Sequence, residues 1–184
     1  MKITVKIGIL FALIWMIIKM GFFFTGAFAY NVVPAVMVNI LCLLLAIAVG
    51  LYKQKRADTE GGNALRDIKN AMSAGVPYAV LVSIFIFFYY SKIDPGFNEH
   101  QIAEAEVGIQ KMLENPDDFA EVKKSNAEFE VMTKEDIYEK LIQGPRGFYS
   151  PTSTMTVSML AMLLLTTMNS IFITIVYRKI VFKE

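Results

Sequence analysis

The side chains able to do chemistry are few in this sequence, and most of them are scattered. The single histidine, His100, stands in SKIDPGFNEH beside Glu99 and close to Asp94. An imidazole between carboxylates is what a general acid–base pair or part of a metal site would use. The spacing favours neither. His100 has no histidine partner at metal-binding distance along the chain, and no EF-hand pattern occurs. Asp117 and Asp118 read as helix-start acids, and the remaining acids of this region read as solvated helix faces. The pair Gly61-Gly62 lacks the Lys and Ser/Thr of a phosphate loop. Cys42 is the lone cysteine, which excludes an internal disulfide, and it lies in an apolar run where it serves as a small apolar residue. Met155, Met159, Met162 and Met168 lack partnering His or Cys, so adaptable packing is the better reading than a soft-metal relay. No catalytic residue, metal site, cofactor or nucleic-acid partner is expected.

The remaining candidates are polar residues inside apolar runs. Lys19 is the one charge in such a run. Burial at the middle of a bilayer would make it a functional suspect, while a position near the outer end of a helix would let its stem reach the interface. The second reading is favoured by the aromatic rim in FFFTGAF that follows it. Asn39 lies at a similar depth in the next run, so Lys19 and Asn39 are the candidate pair for an intramembrane polar seam. Asn169 sits about 15 Å deeper than Asn39 at the helical rise per residue, too far for a direct bond. The last run is also rich in hydroxyls, including Thr154, Thr156, Ser158, Thr166, Thr167, Ser170 and Thr174, which favour close helix contacts and bonds to backbone carbonyls.

These residues are carried by a chain of 184 residues that is 55% hydrophobic and only 19% charged. A soluble domain is usually nearer a quarter charged. The apolar excess falls into four blocks, 7–28, 33–51, 72–90 and 154–177, each long enough to cross a hydrocarbon core of roughly 30 Å as a helix. The fold class expected is therefore an all-α integral membrane protein with four transmembrane helices. The organisation expected is three spans within 1–90, a basic loop at 52–71, an acidic helical cap over 91–150, and a fourth span with a basic tail over 151–184. Segment 92–150 holds 13 acidic and 7 basic residues. Lys and Arg concentrate instead in the N-terminus, the 52–71 loop and the tail, which the positive-inside rule places in the cytoplasm, leaving the cap outside. Tyr30, Tyr89, Tyr90, Phe148 and Tyr149 then mark the outer edge, and Tyr52, Tyr177 and Phe182 the inner one. The first 29 residues also resemble a cleavable signal peptide. Their apolar run is long and contains Lys19, and the next span follows at once, so retention is the expectation.

Between the spans the helix signals are local. KQKRADTEGG reads as a mobile link. NALRDIKNAMSAGVP reads as an interfacial helix capped by Asn63, with Leu65, Ile68 and Met72 as its apolar face and an entry into the membrane near Ala74 that Pro77 kinks. Asp94-Pro95 ends the third span, because the residue before a proline leaves helical geometry, and Asn98 or a neighbour caps the first outer helix. Ile102, Ala105, Ile109, Met112 and Leu113 recur at helical spacing. Asn115-Pro116 separates this helix from a short second one, Thr133 with Asp136 approaches a capping box, and Gly144-Pro145 is expected to stop the third. Ser150-Pro151 opens the last span.

The stretch NALRDIKNAMSAGVPYAVLVSIFIFFYYSKIDPGF, residues 63–97, resembles the central region of a family of small Bacteroidetes membrane proteins, the domain-of-unknown-function family 4199. Its members carry a glycine-preceded helix, a glycine at the entry of the third span and an I-D-P-x-F exit, matched here by Gly62, Gly75, Ile93, Asp94, Pro95 and Phe97. The resemblance implies a bacterial inner (cytoplasmic) membrane and brings no catalytic residues. The function expected is that of a non-enzymatic accessory or scaffold subunit. Besides the lipid bilayer, its partner would be a protein docked on residues 92–150 or a second copy of the chain. The alternative is a small transporter or lipid-binding protein built on the Lys19–Asn39 seam.

Overall fold

A computed structural model describes residues 1–57 and 63–181. Asp58, Glu60, Gly61 and Gly62, from the link expected to be mobile, lie outside the described residues, as do Phe182, Lys183 and Glu184. Every regular element among the described residues is helical. The chain divides into two compact units, Met1–Phe87 with Met155–Glu184, and Phe88–Thr154.

The first unit contains α1 (Ile3–Thr25), α2 (Val33–Ala57), α3 (Ala64–Phe88) and most of α8 (Pro151–Val176). Four helical stretches, Ile3–Thr25, Val33–Ala57, Ala64–Ile93 and Pro151–Val181, are long and apolar enough to cross a membrane. The shortest, at 23 residues, extends about 35 Å, more than the roughly 30 Å hydrocarbon core. Helix association inside lipid gains little from hydrophobicity and depends on close approach and interhelical bonds. Both are present. A Cβ at Gly8 would overlap the Ala74 carbonyl oxygen, and one at Gly75 would overlap the Thr166 side chain. A Cβ at Gly50 would lie 2.9 Å from that of Ala74. Thus Ala74-Gly75 on α3 is approached tightly from α1, α2 and α8. Thr4 Oγ1 bonds Ser73 Oγ at 2.7 Å, and Trp15 Nε1 donates to the Ala35 carbonyl at 3.2 Å.

The N-terminal part of α3 starts where the sequence signal placed it. Asn63 does cap it, its Oδ1 accepting from the Arg66 amide at 2.9 Å. The helix then continues unbroken through Pro77 to Phe88. Of its apolar stripe Leu65 is exposed and Ile68 and Met72 are half-buried, whereas Asp67, Asn70, Ala71, Ala74 and Gly75 are buried. Small side chains let neighbouring backbones approach, and the buried Asp67 has ionic partners, so this face wins over the bulkier apolar one.

The second unit begins with a π-helical turn, Tyr89–Ile93, and contains α4 (Pro95–Glu114), α5 (Pro116–Ser125), α6 (Ala127–Glu130) and α7 (Lys134–Phe148). Leu113, Phe129 and Ile137 form its apolar centre, flanked by Ile109, Phe119, Val122 and Leu141. Its helix starts follow the sequence signals. Asn115 Oδ1 accepts from the Asp117 amide, and Thr133 and Asp136 close a reciprocal capping box. Three expectations are corrected. Asn98 is no cap but a buried residue inside α4, because Pro95, whose fixed φ suits a first helical position, starts the helix earlier. Gly144-Pro145 does not stop α7; the helix runs to Phe148, with the Tyr149 amide bonding the Pro145 carbonyl. Tyr89 and Tyr90 are buried rather than wet edge residues. His100 Nε2 lies 3.5 Å from Glu104 Oε1, one helical turn along α4.

Candidate functional site

The most chemically loaded part of the first unit lies along one face of α8. Met162, Thr166, Ser170 and Thr174 follow one another at four-residue spacing and are all buried. Arg178 continues the series in the π-helical turn Tyr177–Val181. Residues four apart on a helix are neighbours, and each step turns about 40°, so the series winds gradually along α8.

At one end of this face a small network joins three helices. Tyr78 of α3 donates its hydroxyl to Asn39 Oδ1 on α2 at 2.6 Å. Asn39 Nδ2 in turn approaches Met162 Sδ on α8 at 3.6 Å. A methionine expected only to fill space therefore also accepts a weak hydrogen bond. At the other end, Asp67 Oδ2 accepts from Lys55 Nζ at 3.0 Å and from Arg178 Nη1 at 2.8 Å. The side chains of Asp67 and Lys55 are 6% and 9% exposed, so both charges have left bulk solvent. Local sequence places them there. Lys55 lies in the last turn of α2 and Asp67 in the first turn of α3, each complementing its helix dipole. Tyr52 packs edge-to-face on Tyr177, and Arg56 lies over the Tyr52 ring at 5.7 Å.

Between these ends, the hydroxyls of Thr166, Ser170 and Thr174 are buried without a hydrogen-bond partner among the described residues. That is unusual, since buried polar groups are nearly always paired. The same helix offers the ordinary solution elsewhere: Thr167 donates to the Leu163 carbonyl at 3.0 Å, and Asn169 to that of Leu165 at 2.8 Å.

Of the residues singled out from sequence, Asn39 is held by Tyr78 and Met162, while Lys19 is half-buried on α1. Asp94 Oδ2 accepts from the Tyr89 hydroxyl at 3.1 Å, and the Asp94 amide bonds the Tyr89 carbonyl at 2.8 Å. Its backbone is non-helical, as the following Pro95 requires. Phe97 is buried and lies against Tyr90 with ring centroids 5.2 Å apart. The Asp94-Pro95-x-Phe97 motif thus folds the chain back onto the π-helical turn. In the sequence Asp67 and Arg178 stand only as charges flanking the apolar blocks. The available signals were the four-residue hydroxyl repeat leading to Arg178 and the small-residue face leading back to Asp67.

The second unit presents an open groove of about 390 Å³ between α4 and α7, lined by Gln110, Leu113, Glu114, Lys134, Glu135, Tyr138 and Glu139. Arg146 Nη2 bonds Glu106 Oε1 at 2.9 Å, and this bond raises the guanidinium pKa.

The glycine Gly75, pressed against Thr166, and the Ile93-Asp94-Pro95-x-Phe97 exit both fall within the region matched by a family model described as Protein of unknown function (DUF4199), which covers residues 6–179. The chain belongs to this family. The DUF4199 match takes in the long apolar helices, the polar face of α8 and the whole of the second unit. No curated protein and no solved structure matches the chain.

Proposed function

We propose that this DUF4199 protein is a non-enzymatic multi-pass membrane component, an accessory or scaffold subunit that recruits a partner protein through residues 88–154. The observation that carries this reading is the second unit itself: a compact set of helices with its own apolar centre and a groove whose rim holds Glu114, Glu135 and Glu139. Three carboxylates around Leu113 and Tyr138 suit a partner segment with basic side chains and an apolar anchor. The concentration of Lys and Arg in the N-terminus, the 52–71 loop and the tail supports a cytoplasmic side for those segments and an outer side for 92–150, and the family resemblance supports a bacterial inner membrane. Purification from the native membrane in mild detergent is expected to yield a stoichiometric partner that is lost from the Glu135→Lys/Glu139→Lys variant. A partner-free wild-type protein, or a partner held equally well by the variant, would refute the reading. Labelling of single cysteines in 92–150 from the cytoplasmic side alone would overturn the orientation.

A second reading is favoured by the buried polar groups of the first unit, which are costly in hydrocarbon unless they serve a purpose. In that reading the protein is a small transporter or lipid-binding protein, and Lys19 joins Asn39 in its polar seam. Complementation of a deletion strain by a folded Lys19→Leu variant at wild-type level would sink the role of the lysine.

A further inference from the structure

We propose that the surface around Tyr52, where α2 ends beside α8, is a binding site for the phosphate headgroup of an anionic phospholipid. The inference goes beyond both functional readings, because it needs neither a partner on residues 88–154 nor the Lys19–Asn39 seam.

Charge selects the class of ligand. Over the N-terminus, 52–71 and the tail, ten Lys and Arg face four acids. Asp67 is the one acid of the first unit among the described residues. It is buried and already bound to both Lys55 and Arg178, so that cluster keeps one positive charge in excess. Lys53 and Arg56 lie in the last turns of α2 and are exposed, adding two more. A surface of this sign attracts a headgroup whose only charge is its phosphate. A choline or ethanolamine headgroup would bring its own cation into the same field.

Shape selects a lipid over a soluble anion. Tyr52 packs edge-to-face on Tyr177 of α8, with ring centroids 6.4 Å apart, and is still exposed. The Arg56 guanidinium lies over the Tyr52 ring at 5.7 Å, and its Nη1 donates to the Tyr52 hydroxyl at 3.4 Å. The ring thus holds the guanidinium at the edge of the apolar helices, and a fork of N–H donors suits phosphate oxygens. Leu41 and Leu45 are exposed on the same helix. At 3.6 residues per turn, Leu41, Leu45, Tyr52 and Arg56 fall within about 60° of one another around α2. The lane runs from apolar side chains through an aromatic ring to a cation. That order matches the acyl chain, the interfacial glycerol and the phosphate of a phospholipid. A soluble phosphate would make no use of its apolar part.

The test uses the full-length protein in mild detergent, titrated with an equal mixture of phosphatidylglycerol and phosphatidylcholine of the same chain length. Native mass spectrometry reads which lipid stays bound. The expected preference for phosphatidylglycerol is at least about fivefold, the effect of about one Lys or Arg at an anionic headgroup. Lys53→Gln/Arg56→Gln should bring it below about twofold while leaving the Asp67 ion pairs in place. Lys2→Gln/Lys69→Gln removes the same charge from α1 and α3 and should keep most of the preference. Equal retention of the two lipids by the unsubstituted protein overturns the site. Equal losses in the two variants overturn it as well, since they would mean a diffuse field. Displacement of the lipid by glycerol phosphate at matched concentration would assign the surface to a soluble anion and overturn it too. A second measurement needs no variant. Phosphatidylglycerol should raise the unfolding midpoint of the unsubstituted protein more than phosphatidylcholine does, and equal midpoints refute the proposal.

Discussion

Neutralising Asp67 tests the packing of the first unit most directly. In the native protein one carboxylate oxygen holds two cations, Lys55 Nζ at 3.0 Å and Arg178 Nη1 at 2.8 Å. The two nitrogens can be no further apart than about 5.8 Å, the length of the two bonds laid end to end. Asp67→Asn keeps the shape and one carbonyl acceptor but removes the charge between them. The repulsion then exposed is about 3 kcal/mol at an effective dielectric of about 20. Two charge-assisted bonds weaken as well, and breaking a buried ion pair from one side typically costs about 3–5 kcal/mol. The expected loss is therefore about 3–5 kcal/mol, or roughly two to four orders of magnitude in the folded-to-unfolded ratio. Reversible unfolding in mixed micelles, titrated with denaturing detergent, measures it. The triple variant Lys55→Met/Asp67→Leu/Arg178→Met is expected to recover most of the loss, because removing all three charges leaves none stranded. A loss below about 1 kcal/mol for Asp67→Asn would show that water still screens the cluster and would refute the reasoning. A triple variant no more stable than the single one would refute it equally.

Further consequences follow from individual contacts. Gly75→Ala overpacks α3 against Thr166 and should cost about 1–3 kcal/mol, with Thr166→Ala restoring part of it because the obstructing atoms belong to a side chain; size-exclusion homogeneity and detergent unfolding report both. Gly8→Ala meets a backbone carbonyl instead, so no single side-chain truncation on α3 should rescue it in the same assay. Tyr78→Phe strands the Asn39 carbonyl and should destabilise by about 1–3 kcal/mol, while Asn39→Leu combined with Tyr78→Phe should cost less than the sum of the single changes in a double-mutant cycle. Ile137→Ala empties a fully buried site in the second unit and should cost about 2–5 kcal/mol, seen as faster hydrogen exchange across α4 and α7; unchanged protection there would contradict the assignment of Ile137 to that centre.

How much was legible varies with the physics behind each feature. The long apolar helices are dictated by run length, because a backbone in hydrocarbon must bond itself and about 20 apolar residues suffice to cross. Membership of the DUF4199 family was visible in residues 63–97, and the family match extends it to residues 6–179. The starts of α5, α7 and α8 were equally local: Asn115, Thr133 and Ser150 each place a side-chain oxygen on an amide two or three residues ahead. Proline was read well at Pro95, Pro116 and Pro151 and badly at Pro145, since tertiary packing can carry a helix through a missing amide hydrogen.

The inward face of each apolar helix was not decided locally. The stripe of Leu65, Ile68 and Met72 marked one apolar face at the start of α3 without naming what the opposite face would meet. In lipid the surroundings are as apolar as leucine, so burial of a large side chain gains little, and close contact with polar partners matters more. Hence α3 turns Asp67, Asn70, Ala74 and Gly75 inward and leaves Leu65 outside. The sequence by itself determined which segments are helical, roughly how long they run, and that Thr166, Ser170 and Thr174 lie near one side of α8, with Arg178 one turn further on. Only the tertiary structure decided that this side faces Gly75 and Asp67, because partners 91 and 111 residues apart along the chain meet only once the helices have packed.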